Sequence, residues 1–274
     1  MELDFVQWTF ISILLILPLL YELNGTFKYY AKIFLYYLGV NIVAIFVIIL
    51  SLWRPGDVEN YCYVVWTIRA LRRLFGLEYE VRGQENLRDV GPCVIVANHQ
   101  SSLDFFGMME MWPERCSALA KKELRYFLPF GLAAALTGTV FIDRLNPESA
   151  RSTIQATADL IRDKKIKVFV FPEGTRNHNG GMMPFKKGAF HLAVQAQVPI
   201  VPVVFSSYND FYSQREKRFD TGKLTIQILP QVSTEGLTQA AVGDLTESIR
   251  SRMLEEFNRI SAESRQPKMT SNTR

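Results

Sequence analysis

A histidine and an aspartate five residues apart form the first pair in the chain that could perform acid–base chemistry. The stretch CVIVANHQSSLDFF predicts a short buried strand, a polar turn with His99, and a helix whose first turn contains Asp104. Ser101 or Ser102 is expected to cap that helix, because its hydroxyl can accept a free N–H group. A carboxylate that accepts the Nδ1–H of an imidazole fixes the tautomer and leaves Nε2 available as a general base. The alternative is an ordinary turn histidine followed by an acidic residue that complements the helix dipole.

A second polar turn follows another apolar run, VFVF, and has the sequence PEGTRNHNGG. Arg176 in this turn offers a planar fork to a phosphate group, and Gly174 allows the backbone to approach a ligand closely. A third run, residues 138–144, ends in Arg144. Ligands of α/β sheets bind beyond the carboxyl ends of the strands, so we expect these turns to converge on one site.

The elements that must position these turns alternate from residue 78 onward. Short apolar runs bounded by Gly, Pro and Asn predict strands at residues 93–97, 167–171, 200–205 and 224–229. Helices are predicted at residues 102–110, 148–163, 184–197 and 242–260. Strands separated by helices predict an α/β sheet with largely right-handed crossovers.

The first 55 residues differ in composition from the rest of the 274-residue chain. They contain six charged residues and two uncharged runs, residues 5–21 and 33–53. The second run is long enough to span a bilayer, whereas the first is marginal and contains Pro18. A cleaved signal peptide is the alternative, but Glu2 and Asp4 at the N-terminus and the lack of a small-residue cleavage site argue against it. Two spans and a re-entrant hairpin both stay open.

Basic residues follow this leader. Arg69, Arg72 and Arg73 are spaced to share one face of a helix, which suits an anionic membrane interface; a solvated face on a helix packed against the domain is the alternative. Arginines that follow the second apolar run favour a cytosolic domain by the positive-inside rule. We therefore predict membrane-embedded helices at residues 1–55, a basic interfacial helix at 56–78, an α/β domain at 79–260 and a disordered tail at 261–274.

Composition excludes several other classes of protein. With 48% hydrophobic residues and a net charge of +4, the chain is not intrinsically disordered. Its three cysteines are odd in number and lack a CxxC pair, which argues against a disulfide framework or a zinc ribbon. Its three histidines show no HxH or HExxH spacing, so no metal site is predicted.

Four blocks of the sequence resemble those of the glycerolipid acyltransferase family, and they occur in the family's order. NHQSSLD at residues 98–104 matches its HxxxxD motif, and residues 138–144 resemble its second block. FPEGTR at residues 171–176 and VPIVP at residues 198–202 match the third and fourth. Within this family the sequence is similar to animal 1-acyl-sn-glycerol-3-phosphate acyltransferases, and the match extends over roughly residues 80–230.

The resemblance implies a central mixed, largely parallel sheet flanked by helices, with a membrane-embedded helical leader. It also implies transfer of an acyl group from acyl-CoA to the sn-2 hydroxyl of lysophosphatidic acid, which gives phosphatidic acid and CoA. His99 would deprotonate that hydroxyl and Asp104 would orient the imidazole. The alkoxide would attack the thioester directly, in agreement with the lack of a G-x-S-x-G motif.

By the same resemblance, the glycerol-phosphate part of the acceptor would be held by Glu173, Gly174, Thr175 and Arg176, with further phosphate contacts from Arg144 and Lys121. No cofactor is implied, since acyl-CoA is a substrate. The expected partner is a lipid bilayer, that of the endoplasmic reticulum, with the domain facing the cytosol; no nucleic acid is expected, and the oligomeric state stays open.

Other functions remain to be weighed against this one. A related enzyme could use another lysophospholipid, or transfer acyl groups without CoA. A lipid-phosphate binding module without catalysis is the alternative from a different class. The presence of both His99 and Asp104 argues against it, because binding alone does not need a general base.

Overall fold

The computed structural model describes residues 4–178 and 180–265. The helices in this part of the chain are α1 (Phe5–Leu23), α2 (Gly25–Ser51), α3 (Tyr61–Arg72), α4 (Glu85–Arg88), α5 (Asp104–Met111), α6 (Phe130–Leu136), α7 (Pro147–Lys164), α8 (Gly188–Ala196) and α9 (Val242–Arg265). The strands are β1 (Leu77–Arg82), β2 (Val94–Ala97), β3 (Cys116–Lys121), β4 (Val140–Ile142), β5 (Lys167–Val170), β6 (Ile200–Phe205), β7 (Tyr212–Ser213), β8 (Arg218–Phe219) and β9 (Gly222–Ile228).

The main sheet has the strand order β1-β9-β6-β2-β5-β3-β4. Neighbouring strands run parallel except at the β6–β9 pair, which is antiparallel. This confirms the mixed, largely parallel sheet. The central strands β2 and β6 are buried along their whole length, as expected for parallel strands that helices cover on both faces.

Side chains that alternate along each strand divide the interior into two cores. Ile95 and Ala97 of β2 point to the face covered by α2, α3 and α5. Val94 and Val96 point to the opposite face, which α7, α8 and α9 cover. The period of two in a strand therefore builds a three-layer arrangement of helices, sheet and helices.

The two leader helices pack very differently. Helix α1 has no buried residue, whereas α2 buries one stripe along its whole length, formed by Tyr29, Lys32, Tyr36, Val40, Ala44, Val47 and Ser51. The spacing of three and four places these side chains on one helix face, and its apolar members join the core under β2 and α5. The boundary predicted at residue 55 therefore does not separate two cores.

Two arginines of α3 face the protein and not the surroundings. Arg69 donates from Nε to the carbonyl of Met109 (2.9 Å) and from Nη2 to that of Glu110 (2.8 Å). Arg72 pairs with the Glu110 carboxylate. The last carbonyls of a helix lack partners within it and favour cationic ones. Neither of the two predicted roles, an anionic membrane interface or a solvated face, describes Arg69 and Arg72, because both side chains bind α5.

The C-terminal helix extends farther than predicted. Helix α9 continues to Arg265, so residues 261–265 are helical and not part of a disordered tail. Ser261 is buried and its Oγ accepts the backbone N–H of Ser207 at 2.9 Å, a tertiary contact that no local pattern announces. The rest of the predicted tail, 266–274, lies outside the described residues.

Candidate functional site

The parallel strands β2, β3, β4, β5 and β6 end at one edge of the sheet, and the predicted turns lie there. We call residues 98–104, after β2, the His99 turn, and residues 171–178, after β5, the Arg176 turn. The two are joined by a hydrogen bond of 2.8 Å from the Asn177 N–H to the His99 carbonyl. Arg144, after β4, donates from Nη1 to the Gly174 carbonyl at 2.7 Å. Strand order thus brings the three predicted turns together.

His99 and Asp104 form the predicted pair. His99 Nδ1 lies 2.6 Å from Asp104 Oδ2. Asp104 is 1% exposed, whereas 19% of the His99 side chain is exposed. The carboxylate is therefore shielded from water, whereas the imidazole is partly exposed and Asp104 does not use its Nε2.

The prediction that Ser101 or Ser102 caps α5 is wrong. The helix begins at Asp104 itself, and neither Ser101 nor Ser102 caps it. Asp104 Oδ2 instead reaches back and accepts the N–H groups of Gln100 (2.7 Å) and Ser101 (3.1 Å). One carboxylate oxygen thus orders the His99 turn and orients the imidazole, because an ionised carboxylate only accepts hydrogen bonds and can take several donors at once.

The His99 ring is also fixed by stacking. It lies on Phe171, with ring centroids 4.0 Å apart and planes inclined by 13°. Phe171 follows β5 directly, beside β2 in the sheet. A phenylalanine in the FPEGTR block therefore sets the plane of the imidazole, which the sequence reading missed.

Glu173 makes contacts inside the protein. Its side chain is buried, with Oε1 accepting the His99 N–H at 2.7 Å and Oε2 accepting the Met183 N–H at 2.9 Å. Burial raises the pKa of Glu173, because desolvation outweighs the opposing effect of these two donors. The structure therefore gives Glu173 a bracing contact under the His99 turn, and not the open binding surface that was predicted for it.

The next three residues form the open part of the Arg176 turn. Gly174 has a φ of +71°, a left-handed backbone conformation that favours glycine. Thr175 and Arg176 are exposed. Burial and the nearby positive charge of Arg176 lower the pKa of His178.

The two remaining predicted phosphate contacts differ in position. Arg144 touches the Arg176 turn through the carbonyl of Gly174, and burial lowers its pKa. Lys121 ends β3 at the same edge but pairs with Glu123 at 3.1 Å. The structure thus joins Arg144 to the site and leaves Lys121 at its margin.

Other residues support the His99 turn without having been predicted. Asn98 exchanges two hydrogen bonds with the backbone of Phe205, at 2.8 and 3.0 Å, and so ties the turn to β6. Tyr36 of α2 donates to the Ser102 carbonyl at 2.6 Å. Burial, with Asp104 as the next cause, raises the pKa of Tyr208. Asn98 could have been suspected as a polar residue at a strand end; the two tyrosines carry no local signal.

Within residues 4–178 and 180–265, no group of three or more histidine, cysteine, aspartate or glutamate side chains is placed to hold a metal ion. Burial raises the pKa of Cys93 to about 12 and that of Cys116 well above the usual value. These two thiols therefore stay protonated.

Comparison with known proteins gives a consistent result. The model of the Acyltransferase family matches residues 78–206. Over 250 residues the chain is 44% identical to human 1-acyl-sn-glycerol-3-phosphate acyltransferase alpha, covering 91% of this chain and 88% of the relative. It is 43% identical to the human beta enzyme, covering 90% of each chain.

A solved structure shares the fold. The crystal structure of a 1-acyl-sn-glycerophosphate acyltransferase from Thermotoga maritima aligns with a TM-score of 0.67 at 23% sequence identity, covering 89% of this chain and 97% of that one. The similarity of sequence to the two human relatives extends over about nine-tenths of the chain. The chain therefore belongs to the 1-acyl-sn-glycerol-3-phosphate acyltransferase family and is an acyltransferase.

Proposed function

We propose that this protein transfers an acyl group from acyl-CoA to the sn-2 hydroxyl of lysophosphatidic acid, giving phosphatidic acid and CoA. The observation that carries the proposal is the 2.6 Å contact of His99 Nδ1 with Asp104 Oδ2, at the same sheet edge as the exposed Arg176. A positioned base beside a cationic fork suits an acceptor that carries both a hydroxyl and a phosphate. The names of the two human relatives support that acceptor.

The acid–base step follows from the geometry of the pair. His99 Nε2 takes the proton of the acceptor hydroxyl while the hydroxyl oxygen bonds to the thioester carbonyl carbon. When the tetrahedral intermediate collapses, the C–S bond breaks and the imidazolium returns the proton to the CoA thiolate. Asp104 stabilises the imidazolium, with which it is in direct contact. No enzyme nucleophile takes part, because the acceptor oxygen itself attacks.

Acceptor binding is assigned to the open part of the Arg176 turn. Arg176 and Thr175 are exposed and can meet a phosphate without disrupting the fold. Gly174 lets the acceptor approach the backbone, and Arg144 adds positive charge beside it. Glu173 acts indirectly, because both of its carboxylate oxygens already accept protein N–H groups.

The leader attaches the enzyme to a membrane in this proposal. Both α1 and α2 are long and apolar enough to cross a bilayer. Because one face of α2 is buried against the domain along the length of the helix, a hairpin that enters from one side fits better than two full spans. Arg54 and the basic α3 favour a cytosolic domain, and the endoplasmic reticulum is the expected membrane.

A CoA-release assay tests the reaction. Purified full-length protein in detergent is given an acyl-CoA and, separately, lysophosphatidic acid, lysophosphatidylcholine, lysophosphatidylinositol or monoacylglycerol, and free CoA thiol is measured. We expect lysophosphatidic acid to be the best acceptor, with monoacylglycerol, which lacks the phosphate, much poorer. If none of the four acceptors supports CoA release, the proposed reaction is wrong and the alternative of a lipid-phosphate binding module without catalysis remains. Equal rates of CoA release with all four would mean that the phosphate is not recognised.

A further inference from the structure

A cluster of large apolar side chains lies exposed outside the leader. It belongs to the segment between β3 and the end of α6, and its exposed fractions are 38% for Leu124, 71% for Tyr126, 65% for Phe127, 72% for Leu128 and 43% for Leu132. Single exposed apolar residues are common on soluble proteins, but contiguous groups of this kind mark an interaction surface. We call residues 124–128 with Leu132 the apolar segment.

The apolar segment lies beside the leader. Helix α6, which contains Leu132, packs against α2. Its last carbonyl, that of Leu136, accepts the Gly56 N–H (2.9 Å) and an N–H of the Asn60 side chain (3.0 Å) just after α2. The face of α2 turned away from the domain is itself apolar and exposed, with Phe34, Leu35, Tyr37, Leu38, Ile42, Ile45, Phe46 and Ile49. The two apolar surfaces therefore adjoin.

Basic residues border the apolar segment on its polar side. Lys121 and Lys122 precede it, each with half of its side chain exposed, and Arg125 lies over the Phe141 ring at 5.8 Å. Lysines and arginines at the rim of an apolar surface are suited to the headgroup level of an anionic bilayer, where their stems stay in the apolar layer. The pattern fits a lipid surface better than a protein partner.

The apolar segment also adjoins the functional site. Lys122 is tied to Asp143 at 3.2 Å, which brings the turn after β4 alongside it. That turn carries Leu145, 84% exposed, and Arg144, which donates to the Gly174 carbonyl. Leu145 and Arg144 are neighbours in the chain, so an exposed apolar side chain lies next to a residue that contacts the Arg176 turn.

We propose that the apolar segment and Leu145 insert into the bilayer as a second membrane-contacting element, distinct from the leader. It seats the carboxyl edge of the sheet on the lipid surface, so that a lysolipid reaches Arg144 and the Arg176 turn from the membrane without passing through water. This inference rests on the membrane attachment in the proposed function. It adds a contact that the leader alone does not provide.

Depth-dependent quenching tests the insertion. An environment-sensitive fluorophore is attached to Phe127→Cys in a Cys62→Ser background of the full-length protein, with Arg252→Cys on the exposed side of α9 as the control. Of the three cysteines, Cys62 is the exposed one, and the raised pKa of Cys93 and Cys116 keeps those thiols unreactive. The protein is reconstituted with phosphatidylcholine–phosphatidylglycerol vesicles that carry brominated acyl chains.

We expect a blue shift and strong quenching for the label at residue 127 and neither for the label at residue 252. Protein that sediments with the vesicles while the label at residue 127 stays unquenched overturns this inference and leaves the membrane attachment by the leader standing. Protein that does not sediment overturns the attachment itself, and the inference with it.

A functional comparison separates insertion from folding. The double change Phe127→Asp and Leu128→Asp is matched in charge by Arg252→Glu. With acceptor embedded in vesicles, we expect the double variant to lose at least about tenfold in rate, because lipid no longer buries two large side chains. With acceptor dispersed in detergent both variants should equal the wild type. An equal loss in detergent, or no loss on vesicles, overturns the proposal.

Discussion

The His99 turn and the Arg176 turn lie side by side but are built in opposite ways. In the first, the Asp104 carboxylate is buried and one of its oxygens holds the imidazole and two N–H groups. In the second, each oxygen of the Glu173 carboxylate also accepts one backbone N–H group. The neighbouring Thr175 and Arg176, however, are exposed. In the proposed mechanism, this difference means that the group assigned to proton transfer is preorganised, whereas the groups assigned to the acceptor are exposed and free to adjust to it.

The largest expected effect concerns the preorganised turn. His99→Ala should lower the rate of acyl transfer by ~10²–10⁴-fold, the usual contribution of a positioned general base. The fold and membrane association should persist, because the side chain is partly exposed. His191→Ala, which alters an exposed partner of Gln239, is the control. Near-normal CoA release by the purified His99→Ala protein would remove the assignment of the base.

The next effect concerns the open turn. Arg176→Ala should raise KM for lysophosphatidic acid and lower kcat, reducing kcat/KM by about 10- to 100-fold, because a charge-assisted bidentate contact to phosphate is lost. Arg176→Lys keeps the charge but loses the bidentate geometry, so its kcat/KM should lie between those of the wild type and Arg176→Ala. KM for acyl-CoA should change little, and the exposed Arg252→Ala is the control. A change confined to acyl-CoA would reverse the assignment.

A substitution of Glu173 tests whether this residue braces the His99 turn or binds the acceptor. In Glu173→Gln one oxygen becomes an NH₂ group that faces an N–H donor, so a buried donor loses its acceptor, at a cost of about 1–3 kcal/mol in the free energy of unfolding. We expect kcat to fall several-fold with little change in KM, and Glu255→Gln to behave as the wild type. A rise in KM for the acceptor at unchanged stability would return Glu173 to the binding surface.

The pH dependence of stability sharpens the same point. A carboxyl whose pKa is raised by folding stabilises the fold fully below the pKa of an unfolded glutamate, about 4.3, and that contribution is lost as pH rises through its folded pKa. Since burial raises the pKa of Glu173, the stability gap between wild type and Glu173→Gln should narrow from mildly acidic to neutral pH. Denaturant unfolding of both proteins at several pH values measures this gap; a gap that widens would contradict it.

The smallest effect concerns the support that α2 gives to the His99 turn. Tyr36→Phe removes the hydrogen bond to the Ser102 carbonyl and should lower the free energy of unfolding by about 1 kcal/mol, the typical net value of such a bond. Tyr37→Phe, at the exposed neighbouring position, should have no effect. Thermal unfolding of both variants measures the difference in stability. Equal melting temperatures would mean that α2 does not stabilise the His99 turn.

Several elements of the fold, and the His99–Asp104 pair, could be predicted from local sequence patterns. The buried runs at β2, β5 and β6 predict strands because apolar, β-branched segments bounded by Gly, Pro and Asn favour extended chain. The five-residue spacing of His99 and Asp104 lets a strand-to-helix turn join them, and the structure shows that contact. Helix ends were harder to predict. Helix α9 runs to Arg265, and Ser261 near its end bonds to Ser207, which is distant in the chain.

What the sequence determined by itself is the strands β2, β5, β6 and β9, most of the longer helices and the candidate reactive residues at their ends, since side-chain period and turn chemistry act over a few residues. The strands β1 and β3 were not predicted. What only the tertiary structure decided is which ends meet. The order β6-β2-β5 places Glu173 under the backbone of His99, 74 residues away in the chain. It also stacks Phe171 on the imidazole. Strand order depends on how buried faces pack across the whole domain, and no local stretch of sequence contains that information.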